Sequence, residues 1–112
     1  MRAVNDSPAR KGSANIFRDL GFDEIEAEEA LAKSELISAI ARTIKSRRLT
    51  QAEAAKLCRT DQPTLSKVLH GRMESITIDR LAAWLRALGH SVEIKVGKQV
   101  GKHAGRLVVS AP

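Results

Sequence analysis

LTQAEAAKLCRTDQPTLSKVLHG, residues 49–71, holds two helix starts and two helix ends in one short stretch, and its reading decides the fold. Thr50 and Glu53 form a Thr-x-x-Glu capping box: the hydroxyl takes the Glu53 amide and the carboxylate reaches back to the Thr50 amide. The helix that follows buries Ala54, Ala55 and Cys58 at helical spacing. Arg59-Thr60-Asp61 breaks it, and Asp61 suits the N-cap of a second helix. Pro63 falls in that helix's first turn, where a missing amide costs little because first-turn amides have no intrahelical partner. Leu65, Val68 and Leu69 form the buried face, and Gly71 stands where a left-handed residue ends a helix. Two short helices with opposed apolar faces across a tight turn make a helix-turn-helix. The small side chains of Ala54 and Ala55 let the helices cross closely.

The second helix leaves Gln62, Pro63, Ser66, Lys67 and His70 on one outward stripe. Such groups match base edges: Gln pairs with adenine, Lys with guanine, and Ser bonds to either. Gln62, Pro63, Ser66 and Lys67 are therefore the expected base-reading set for double-stranded DNA. Gln51, Thr64, His70, Arg72 and Arg47 are expected to meet phosphates, Gln51 with help from helix-end amides. Arg48 shares the basic cluster with Arg47. For Arg47 and Arg48, complementarity to the helix macrodipole is the plainer alternative.

Composition agrees without adding detail. Nineteen Lys and Arg against 13 Asp and Glu give a net charge of +6, which favours a polyanionic partner. Phe17, Phe22 and Trp84 are the only aromatic residues, which argues against a single-strand binder that stacks bases. One cysteine, Cys58, cannot form an internal disulfide or a Cys-rich metal site, so a reducing cytoplasm fits. No apolar run approaches the roughly 20 residues of a membrane span, and the N-terminus lacks a signal-peptide core. His70, His90 and His103 have no partners at ligand spacing, and no nucleophile–base pair or phosphate loop is present. The expectation is a non-enzyme with no cofactor, no metal and no membrane contact.

Outward from the central stretch, residues 1–14 have no apolar period and read as a disordered tail. Residues 15–22 concentrate Ile16, Phe17, Leu20 and Phe22, which either cap the core or form an adhesive segment for a partner. Residues 23–48 read as one long helix or two joined end to end, with Ile25, Leu31, Leu36, Ile37, Ile40, Ala41 and Ile44 near helical spacing. Acids crowd its start and bases its end, as the macrodipole favours. A last helix, capped by Thr77 and ended by Gly89, carries Ile78, Leu81, Ala82, Leu85 and Leu88, with Trp84 slightly off that stripe at the core edge or a dimer contact.

Val92-Glu93-Ile94-Lys95-Val96 alternates as a strand should. A lone strand needs a partner, so Val92, Ile94 and Val96 are expected to pair with a second copy across a two-fold axis; residues 106–110 folding back is the alternative. The expected architecture is an all-α, five-helix-type helix-turn-helix domain over residues 15–96, with a short C-terminal β-strand pairing across a homodimer. Residues 97–112 are expected to be a flexible basic tail.

Leu49-Thr50-Gln51, Ala55, the run from Gln62 to Lys67 and Gly71 together resemble the Cro and phage-repressor (XRE) helix-turn-helix family. From residue 15 to residue 96 the chain is similar to the subgroup that includes HigA-type antitoxins. Asn15-x-Phe17-x-Asp19-Leu20-Gly21-Phe22 and Leu88-Gly89-x-x-Val92-Glu93-Ile94 carry that match. The resemblance implies a repressor that binds a pseudo-palindromic operator and neutralises a small basic RNA-cleaving toxin of the RelE/HigB kind. Phe17, Leu20, Phe22, Glu24 and Glu28 are the candidate toxin contacts. The chain departs from the family in the turn, where Gly-Val-Ser is usual. Arg59 replaces a glycine that commonly takes positive φ, which predicts a strained or rearranged turn. A free-standing regulator without a toxin is the alternative function, and a protein-interaction module whose helix-turn-helix no longer binds DNA is a third.

Overall fold

The structure, a computed structural model, describes Phe17, Leu20, Gly21 and residues 23–112. These residues hold four helices: α1 (Glu24–Ser46), α2 (Gln51–Leu57), α3 (Gln62–Leu69) and α4 (Ile78–Ala87). The expected count of five is corrected to four among the described residues, because α1 runs unbroken for 23 residues. The expected tail at residues 1–14 lies outside the described residues.

Each of these four helices begins on a side chain that accepts an otherwise orphaned amide. Asp23 accepts from Glu26 at 2.8 Å, and Glu26 answers to the Asp23 amide at 3.2 Å. Thr50 and Glu53 form the expected box, at 3.0 and 2.8 Å. Asp61 caps α3 and Thr77 caps α4. Each such cap is worth about 1 kcal/mol where it replaces a bare alanine end.

The helix ends share one device. Leu49 donates to Ile44 O and Arg48 to Lys45 O; Thr60 donates to Ala55 O and Arg59 to Lys56 O. The same pair of bonds recurs with Arg72 and Gly71 after α3, and with His90 and Gly89 after α4. These are Schellman ends, which satisfy the orphaned carbonyls and place one residue in the left-handed region. Gly71 and Gly89 fill that position at φ 95 and 109, but Arg48 and Arg59 fill it at φ 57 and 59. The strain expected at Arg59 is present, and the turn keeps its regular closure. A left-handed backbone costs a non-glycine residue on the order of 1 kcal/mol.

The chain divides into two compact units: Lys33–Lys98 with Val109–Pro112, and the described residues up to Ala32 with Gln99–Val108. The core lies in the first of these. Leu36, Ile37, Ile40 and Ile44 of α1 meet Ala54, Ala55 and Cys58 of α2, Leu65 and Val68 of α3, and Leu81, Trp84, Leu85 and Leu88 of α4. Trp84 is 1 % exposed, so it belongs to the core and not to a surface contact. Its spacing agrees, since 81, 84, 85 and 88 follow the i, i+3, i+4, i+7 pattern of one helix face. The indole Nε1 has no hydrogen-bond partner among the described residues. Ile25 departs from the expected stripe, at 65 % exposed.

No strand forms among the described residues. The strand expected at residues 92–96 is corrected to a segment without regular structure: Val92 packs on the core, while Ile94 and Val96 are 86 % and 91 % exposed. The physical reason is that a ladder needs a second strand, and none pairs with it here. Val109 also packs on the core. No described helix is long and apolar enough to cross a membrane.

Candidate nucleic-acid interface

α2 and α3 pack directly on each other. Leu65 and Val68 turn inward from α3 and are buried; Gln62, Pro63 and Lys67 are exposed and Ser66 is half-buried. One helix thus divides into an anchoring face and a polar face. The polar face carries the four residues expected to read bases, on a backbone pinned at its start by Asp61 and at its end by the Gly71 closure.

The cap has an electrostatic signature. Hydrogen bonds from the Thr64 backbone amide, and then its side chain, hold the Asp61 carboxyl below its ordinary 3.8, with a smaller pull from the Lys67 charge. A depressed folded value means that the cap's contribution is complete above the ordinary value and is lost as pH falls through the lower one. Thermal melting of wild type against Asp61→Asn across the acid range, below about pH 4, should show a steeper decline for wild type. Parallel curves would dismiss the cap's part in acid unfolding.

The expected phosphate contacts divide. Gln51 is half-buried at the first position of α2; Thr64 and Arg72 are exposed, and the Thr64 amide serves the cap. His70 Nδ1 lies 2.7 Å from the Ser66 carbonyl oxygen. A carbonyl only accepts, so Nδ1 carries the proton, and Nε2 of the neutral ring has none to offer a phosphate. His70 can donate outward only as imidazolium.

Arg47 is placed differently from the expectation. Its Nη1 donates to Leu88 O at 2.9 Å, tying the end of α1 to the end of α4. That carbonyl is one that a helix end leaves without an intrahelical partner, and a guanidinium also opposes the negative end of the helix dipole. Nearby, Thr43 donates its hydroxyl to Ala39 O at 2.8 Å, so its oxygen accepts from His90 Nε2 at 2.7 Å. These groups border a cleft of about 370 Å³ lined by Ala39, Arg42, Thr43, Ser46, Leu88, Gly89, His90 and Pro112. Two helix C-termini meet there, which makes the cleft a poor place for a phosphate. Neither the Arg47 tie nor the Thr43–His90 pair was expected from the sequence.

Residues expected at a protein contact lie in the other unit. Leu20 is 69 % exposed, Glu24 is exposed and Phe17 is half-buried. The Phe22 side chain lies outside the described residues. Glu28 Oε1 accepts from the Leu107 amide at 3.0 Å and from Arg106 Nε at 3.4 Å. No cluster of three or more His, Cys, Asp or Glu residues among the described residues is arranged to hold a metal.

A family model described as a helix-turn-helix domain matches residues 16–97. A solved structure named as an XRE family transcriptional regulator is 34 % identical, with a TM-score of 0.69; the match covers 77 % of this chain and 98 % of that one. No curated protein gives a match.

Proposed function

This chain belongs to the helix-turn-helix domain family, in its XRE branch, and from that premise we propose that it is a sequence-specific repressor acting as the antitoxin of a type II toxin–antitoxin pair. It is a DNA-binding transcriptional regulator. The observation that carries the DNA reading is the polar face of α3, opposite the buried Leu65 and Val68. Gln62, Pro63, Ser66 and Lys67 read base edges in the major groove, while Gln51, Thr64 and Arg72 fix the register on phosphates. Arg47 and His70 take a lesser part, Arg47 with its remaining N–H groups and His70 when protonated.

A homodimer presents α3 twice, to half-sites about 34 Å apart on a pseudo-palindrome. Residues 92–96 supply its contact through the exposed branched residues Ile94 and Val96. The toxin is a small basic RNA-cleaving protein of the RelE/HigB kind. Phe17, Leu20, Phe22, Glu24 and Glu28 receive it, supported by the exposed Leu20 beside acidic residues of α1. The complex represses its own operon.

A tagged copy expressed in its native host and purified after nuclease treatment should carry a stoichiometric small basic protein. Recovery of a homodimer alone would replace the antitoxin role with that of a free-standing regulator, leaving the DNA reading in place.

A further inference from the structure

Arg59 closes the turn between α2 and α3 in a left-handed conformation that glycine adopts freely, and its side chain is exposed. Among the described residues no hydrogen bond or ion pair engages its guanidinium, so neither packing nor pairing explains an arginine here. The backbone beneath it is held on both sides, by Arg59 N to Lys56 O at 3.2 Å and Thr60 N to Ala55 O at 2.9 Å. Two residues on, the Asp61 carboxylate caps α3 and stands fully exposed on the same turn, an unfavourable charge for a surface that meets a polyanion. In a unit of this kind the first helix crosses the phosphate backbone and the second enters the groove, so the turn joining them stands at the groove's rim.

We propose that Arg59 is a phosphate-binding residue, whose guanidinium grips the DNA strand bordering the groove that α3 enters. This rests on the DNA-binding reading above. The retained strain then has a counterpart in binding, as strained backbone at functional positions often does. Arg48 is the internal comparison: the same geometry at the end of α1, one position before Leu49 and two before the cap of α2.

The test is Arg59→Gly in the full chain, titrated against short mixed-sequence duplex DNA over a salt series, with thermal melting alongside. The melting temperature should rise by about 4–8 °C as the strain is relieved. Affinity should fall, and the slope of log affinity against log salt should become shallower by about 0.9. One lost phosphate contact of that slope corresponds to about eightfold weaker binding near 0.1 M salt, shrinking towards parity near 1 M. Arg59→Lys should keep the wild-type slope. A more stable Arg59→Gly variant that binds with unchanged affinity and slope overturns the proposal. A wild-type chain that leaves duplex DNA free at low salt overturns the DNA reading itself, and this inference with it.

Discussion

Leu65→Ala should destabilise the protein by about 2–5 kcal/mol and abolish DNA recognition at temperatures where wild type still binds. Leu65 is 0 % exposed, and it sits between the proposed base-reading side chains on α3 while facing the shared core. Removing it takes buried apolar surface from a helix that can ill spare it: α3 has 8 residues, too few to persist without packing. Ala54 and Ala55 of the packed helix α2 share this core and are already small, so collapse around the cavity is limited. Against a total stability of roughly 5–15 kcal/mol, the loss is a large fraction. Calorimetry should show the melting temperature lowered by roughly 8–40 °C. A loss below about 1 kcal/mol, the usual cost of a surface change, would mean that α3 does not depend on this anchor.

Lys67→Ala should leave folding unchanged and weaken binding to the cognate site by about 1–3 kcal/mol, with preference relaxed at one base pair. Lys67 is exposed, two positions beyond the anchor, and the charge it lends to Asp61 is a minor influence there. The measurement is site selection from a random library followed by competition with single-base variants. Arg72→Ala is the contrast: exposed after the Gly71 closure, it should weaken all sequences alike and flatten the salt dependence. If both variants lose affinity uniformly, α3 lies on the backbone and not in the groove. Loss from neither would favour the interaction-module reading.

The helix-turn-helix was legible in the sequence because its determinants are local. Thr50 with Glu53, Asp61 with Thr64, and Gly71 after Leu69 are bonds spanning three to five residues, and residue type alone encodes them. Trp84 reached its place through helical spacing that a closer count would have recognised. What stayed hidden depends on distant parts of the chain. The Arg47 side chain meets a carbonyl 41 residues away, so a basic last turn could be read as dipole complementarity but not as a tie to α4. Alternation in residues 92–96 is local, whereas pairing is not, and an alternating segment without a neighbour is no strand. Arg48 gave no sign of its left-handed backbone, since no glycine or asparagine marks the end of α1.

Cys58, whose thiol burial pushes up in pKa and whose Sγ lies 3.8 Å from Trp84 O, is the single thiol of the chain. It is therefore protected from alkylating reagents while the core stays closed over it, both because it is covered and because burial disfavours its thiolate. Each modification event records one opening of the core around Cys58, without any label having to be introduced. Reaction rates taken with and without operator DNA convert directly into how far a bound duplex suppresses that opening, residue-level protection read with an ordinary thiol reagent.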